Sequence, residues 1–194
     1  MLWIVPSLLL LAVGFFFVSN SHAATPTAAY KTLKTDGDFE LRAYETLHLA
    51  KVTLSTSDKR SKNMDGSFMK LFRFIDGQNQ REEKISMTTP VIIERGANES
   101  SMSFVMPETS VAKGLPTPNG EVKLAKMPPV KMAVLRFSGI SNRKKEAEQL
   151  TRLQTWMANE KLSPEMTPLF AFYDPPWTLG FMRRNEVLLR VKEK

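Results

Sequence analysis

Phe39-Glu40-Leu41-Arg42-Ala43-Tyr44 opens the part of the chain that decides the fold. Phe39, Leu41 and Ala43 alternate with Glu40, Arg42 and Tyr44, and a period of two predicts a strand. Leu47 to Leu54 continues it as a second strand, with His48, Ala50, Val52 and Leu54 on one face. Ser55 to Lys62 is polar and reads as a loop. The period then changes. Met64, Phe68, Leu71, Phe72 and Ile75 fall on one face of an amphipathic helix. Gly66 weakens the first turn and moves the expected start to near Asp65, while Gly77 supplies the stop, because glycine takes the left-handed cap conformation cheaply. Val91 to Ile93 and Met102 to Met106 read as the next two strands.

After the break Leu115-Pro116-Thr117-Pro118-Asn119-Gly120 the same order returns. Glu121 to Lys126 and Val130 to Phe137 are strands on either side of the Pro128-Pro129 turn. Asn142 to Leu162 is a helix with Ala147, Leu150, Leu153, Met157 and Ala158 on one face. Leu169 to Tyr173 and Val187 to Val191 close the chain as strands. Two strand-strand-helix-strand-strand halves imply an α+β fold, with a shared, mainly antiparallel sheet and both helices packed against it.

Upstream, Leu2 to Val18 is almost wholly apolar and ends in Ser19-Asn20-Ser21-His22-Ala23-Ala24. This reads as a secretory signal peptide, residues 1–23, cleaved after Ala23. The competing reading is an uncleaved anchor, since the run is about the minimum of roughly 17 residues for a membrane span. Residues 24–37 are expected to form a flexible lead and 38–194 the domain, a monomer that is periplasmic or secreted. Membrane contact is then expected only if the leader is retained.

Of 194 residues none is cysteine, which removes disulfides, thiolate metal sites and thiol nucleophiles. The net charge of +7 is carried by scattered pairs such as Lys59-Arg60, Lys144-Lys145 and Arg183-Arg184. For an exported chain, nucleic acid is not the expected partner. The expected mature form keeps one histidine, His48, and no Gly-x-Ser-x-Gly or phosphate loop is present. No catalytic set emerges, so a binding protein is expected rather than an enzyme. His48 is either an ordinary strand histidine or an axial iron ligand, and the methionines are first of all flexible core fillers.

Several segments together resemble the SOUL / haem-binding protein family. They are Tyr30, Phe39 to Tyr44, Leu71 to Asn79, Ile85-Ser86-Met87-Thr88-Thr89-Pro90-Val91 and Phe104-Val105-Met106-Pro107. Phe137-Ser138-Gly139, Tyr173-Asp174-Pro175-Pro176 and Arg183-Arg184-Asn185-Glu186-Val187 complete the set. The resemblance implies a distorted β-barrel flanked by two helices. It also implies reversible binding of haem or free porphyrin on an apolar surface groove, between the first helix and the loop before the last strand. Carried over, the groove would use Met64, Phe68, Leu71 and Phe72 from the helix, with Lys70 or Arg73 meeting a propionate. Trp177, Phe181 and Met182 would come from the loop. Ala43 stands where some members carry histidine, so His48 is the one candidate axial ligand and no metal-ion site is expected. The alternative is an effector or amphipathic small-molecule-binding module, or an envelope interaction protein, whose natural ligand is not haem.

Overall fold

The structure, a computed structural model, describes residues 27–54, 62–97 and 99–192. The expected leader and the Met64 side chain lie outside the described residues. The elements run β1 (Tyr30–Asp36), β2 (Phe39–Tyr44), β3 (Leu47–Leu54), α1 (Lys62–Ile75), β4 (Val91–Arg95), β5 (Ser100–Val105) and α2 (Glu108–Ala112). Then follow β6 (Lys123–Met127), β7 (Val130–Phe137), α3 (Arg143–Asn159), β8 (Leu169–Phe172) and β9 (Asn185–Arg190).

All nine strands form one antiparallel sheet in the order β1-β2-β7-β9-β8-β4-β5-β3-β6. Connection lengths force this sheet to curl. The second and eighth strands of that order, β2 and β3, are joined by Glu45-Thr46 alone. Six strand spacings on a flat sheet would separate them by about 29 Å. A two-residue link reaches about 11 Å. Pro128-Pro129 imposes the same closure between β6 and β7. The result is a distorted half-barrel in which β1 and β6 are the edge strands among the described residues.

The two halves expected from element order are related in the pairing as well. β3 pairs β5 as β7 pairs β9, β4 pairs β5 as β8 pairs β9, and β4 meets β8 at the join. α1 covers one apolar cluster, with Ala50, Val52, Leu71, Phe74 and Phe104. α3 covers another, with Leu135, Leu153, Trp156, Met157 and Leu189. A third cluster, with Tyr44, Leu47, Met132, Leu169 and Leu188, fills the inside of the curl.

Three sequence expectations need correction. Tyr30–Asp36, assigned to the flexible lead, is edge strand β1 paired along β2, so the folded domain begins before residue 38. Its side chains are mostly exposed and a bulge between Thr32 and Lys34 breaks its alternation, which hid it from a periodicity reading. A third helix, the five-residue α2, joins the two expected, and Pro107 and Glu108 supply its extended lead and acidic first turn. α1 starts at Lys62 rather than near Asp65, because Gly66 is tolerated within it. Its end agrees with expectation. Gly77 has φ 102, and Gln78 N–H donates to the Arg73 carbonyl at 2.9 Å. Among the described residues no helix is long and apolar enough to cross a membrane.

Candidate ligand-binding site

The α1 residues of the expected groove divide by their position on the helix. Leu71 is fully buried in the cluster beneath α1, so it is a core residue with no surface to offer a ligand. Phe68 is half-buried, with its ring edge-on to Phe104 at 5.2 Å and stacked on Phe72 at 6.2 Å. Phe72 and its neighbour Met69 are exposed. Lys70 is held by Glu121 at 2.7 Å. Arg73 is exposed and makes no ion pair among the described residues.

The loop residues are displayed to solvent. Trp177, Leu179, Phe181 and Met182 are 60 to 82% exposed, so they do not close the core against α1. The loop folds around a 3-10 turn, Gly180–Met182. Arg183 stiffens it by donating from Nε to the Thr178 carbonyl at 2.8 Å and from Nη2 to the Pro176 carbonyl. The loop also meets the β7–α3 turn, where Gly139 N–H donates to the Gly180 carbonyl at 2.9 Å. The loop and α1 are linked through the sheet. Phe172, the last residue of β8, pairs Val91, and Val91 pairs Phe104, which carries Phe68. Phe172 packs against both helix-covered clusters, so the loop leaves the sheet at the seam between α1 and α3.

The base of this loop is fixed by a buried polar cluster whose role the sequence reading missed. Glu186, fully buried on β9, accepts from Arg42 Nη1 at 2.7 Å and Nη2 at 3.0 Å. It also accepts from Arg184 Nη2 at 2.7 Å and from the Tyr173 hydroxyl at 2.9 Å. Arg184 N–H donates to Asp174 at 2.6 Å. Tyr173-Asp174 begins the loop and Arg184 ends it, so one carboxylate ties both ends to β2. Arg42 also lies over the Tyr30 ring at 4.1 Å and Arg184 over the Tyr173 ring at 3.9 Å. Four of the segments that carried the resemblance, Tyr30, Phe39 to Tyr44, Tyr173 to Pro176 and Arg183 to Val187, therefore meet here, as the support of the loop.

Electrostatics keep the cluster ionised. Burial alone would raise the Glu186 pKa, but hydrogen bonds and charge from Arg42 and Arg184 outweigh it and hold the carboxyl below its ordinary value. Burial works against the Arg42 charge too, yet Glu186 and Glu40 raise its pKa further. Burial pushes the Tyr44 hydroxyl up to about 12, and burial with the Glu186 charge pushes Tyr173 higher, so both stay neutral. With every strong acceptor and donor of the pair engaged, Glu186 has the environment of a structural anion, not of a general base.

Beside the cluster, inside the curl, is a cavity of about 20 Å³ lined by Tyr44, Leu47, Ile92, Met132, Tyr173 and Leu188, among others. That is room for about one water, whereas a small-molecule pocket needs roughly 300 Å³ or more. A porphyrin does not enter the interior of this conformation. His48 lies on β3 opposite Lys126 and does not line this cavity. Among the described residues no group of three or more His, Cys, Asp or Glu side chains is placed to hold a metal ion.

Comparison with known proteins agrees with this fold. The C-terminal domain of EcmrR superposes with a TM-score of 0.63 over 85% of this chain and 99% of that one, and at 8% identity the likeness concerns the fold alone. Heme-binding protein 2 of Homo sapiens is 29% identical over 166 residues, 81% of this chain and 80% of its own length. The Mus musculus protein of the same name matches equally. The family model described as SOUL heme-binding protein matches residues 25–190, which include β1 and the whole Arg42–Glu186 cluster, and the chain belongs to that family.

Proposed function

We propose that this protein reversibly binds haem or another tetrapyrrole on the apolar surface between α1 and the β8–β9 loop, and that it does no chemistry on the ligand. Membership of a haem-binding family supports a tetrapyrrole in general. The observation that carries the location is the exposure of Trp177, Phe181 and Met182 on a stiffened loop that leaves the sheet at Phe172, two strands across from the Phe104 on which Phe68 packs. Phe68 and Phe72 supply the helical wall, and Arg73, with Lys70 if it exchanges Glu121, supplies propionate contacts.

Iron ligation is not needed for such binding. Covering about 400 Å² of apolar porphyrin and protein surface contributes on the order of 10 kcal/mol. Lost translational and side-chain freedom costs several of these. A roughly micromolar complex, about 8 kcal/mol, is within reach. In this reading the mature chain starts at Ala24, acts as a monomer and is periplasmic or secreted. Titration of the chain from Ala24 with haemin and with metal-free porphyrin, read by absorbance, tests the function. Saturable binding of both is expected. Binding of neither would end this reading, and binding of haemin alone would restore an axial ligand.

A further inference from the structure

The β8–β9 loop exposes more apolar surface than a groove against α1 uses. Leu179 has no place in the ligand set, and Ile140, 66% exposed, extends the patch from the neighbouring β7–α3 turn by packing against Gly180. Trp177, Leu179, Phe181, Met182 and Ile140 thus form one contiguous tip, and contiguous exposed patches of this kind mark interaction surfaces. The tip is held out from the body by Arg183, by the Gly139–Gly180 hydrogen bond and by Asn185 Nδ2 donating to the Gly139 carbonyl at 2.8 Å.

Cations ring this tip. Arg143 and Lys144 follow Ile140 on the first turn of α3, and both are exposed. At the foot of the loop an open depression of about 310 Å³ is lined by Arg136 and Arg183 together with Ser138, Phe181 and Met182. Asp38 is the one carboxylate lining it. Arg136, Arg143 and Lys144 have no ion-pair partner among the described residues.

We propose that this end of the molecule docks on an anionic phospholipid bilayer, with the tip in the headgroup–acyl boundary and lipid phosphates at Arg136, Arg143 and Lys144. Charge complementarity selects the occupant, because unpaired cations around an apolar tip match a negatively charged surface, and the chain as a whole carries +7. Tryptophan beside aliphatic side chains suits the membrane interface. Apolar insertion and electrostatic attraction together give peripheral binding that either alone leaves marginal. The sequence reading confined membrane contact to an uncleaved leader; this surface does not need the leader, and Leu179 and Ile140 extend it beyond the residues proposed to meet haem.

The test is flotation of the haem-free chain from Ala24, which contains every described element, with phosphatidylglycerol vesicles and with phosphatidylcholine vesicles. Binding is expected to the anionic vesicles, to weaken as salt rises from about 0.05 M to about 0.5 M, and to be at least about tenfold weaker on the neutral ones. Ile140→Glu with Leu179→Glu should lower vesicle binding by at least about tenfold while haem affinity and thermal unfolding stay as in the parent. Arg136→Gln and Lys144→Gln should each cost about fivefold. Equal binding to both vesicle types, no binding to either, or full binding by the double glutamate variant would each overturn the proposal. Loss of self-association by that variant with no vesicle binding in the parent would assign the patch to a second copy of the chain instead. Haem binding unchanged in the groove variant Phe72→Ala, with vesicle binding intact, would count against the groove alone.

Discussion

Arg42 of β2 and Glu186 of β9 face each other as a two-pronged ion pair, Nη1 to Oε2 at 2.7 Å and Nη2 to Oε1 at 3.0 Å, although 144 residues separate them in sequence. Both side chains are almost fully buried. Such a pair is not itself strong evidence of stability, since desolvation offsets much of the attraction, but breaking it leaves a charge stranded. Because Glu186 also holds Tyr173 and Arg184, the pair connects the core to the loop that is proposed to meet ligand.

Glu186→Gln should therefore destabilise the domain by about 3–5 kcal/mol, because it leaves Arg42 buried without a counter-charge. Chemical denaturation measures this. A loss below about 1 kcal/mol would mean that water or Glu40 satisfies Arg42 in its place.

Glu186, together with Glu94 outside the cluster, should set the acid limit of the fold. Glu186 and Glu94 both titrate below their ordinary value in the folded chain: burial opposes this, but Arg42 and Arg184 outweigh it at Glu186, and Lys51 and Arg190 at Glu94. In the unfolded chain they titrate near about 4.3, so on acidification the unfolded state takes up protons first. Their contribution is present above that pH and is lost as pH falls through the lower folded values. Unfolding free energy measured against pH should drop below about pH 4.5. Glu186→Gln should flatten that drop, and an unchanged slope would remove Glu186 as its source.

Leu71 and Trp177, both assigned to the ligand from sequence, should separate cleanly. Leu71→Ala removes a fully buried side chain and should cost about 2–5 kcal/mol of stability. Trp177→Ala removes an exposed one and should change stability by no more than about 0.5 kcal/mol. It should weaken porphyrin binding by about tenfold, or 1.4 kcal/mol. Calorimetry and titration on the two variants check this. Porphyrin binding like the parent's in Trp177→Ala would move the site away from the loop.

His48→Ala should change haem affinity by less than about tenfold. A larger loss together with a shifted Soret band would identify His48 as the iron ligand.

What was legible in the sequence followed from period and punctuation. Phe68, Leu71 and Ile75 mark α1 because a helix against a sheet has one wet side, and Gly77 marks its end. The order of elements was enough to suggest two halves, which the cross-strand pairings then match. β1 was not legible, because an exposed edge strand has no apolar face to repeat. Nor was the cluster, for a different reason. A curled sheet covers both faces: Phe39 and Leu41 pack toward α3 while Arg42 and Tyr44 point into the curl. Alternation alone sets Phe39, Leu41 and Ala43 on one face and carries no signal of what covers Arg42 on the other. The available signal was Glu186 directly before Val187-Leu188-Leu189, a charge inside a strand that buries nearly every residue. Leu71 was misplaced because both a core face and a ligand face of a helix read as apolar.

The most direct test of the groove is chemical-shift mapping of the isotope-labelled chain from Ala24 with metal-free porphyrin, whose ring current shifts nearby amides without paramagnetic broadening. If the groove lies where proposed, amides of residues 68–73 on α1 and 177–182 on the loop shift together along one saturating curve. Shifts gathered instead around Tyr44, Leu47 and Ile92 inside the curl, or on the loop with α1 unaffected, would contradict it.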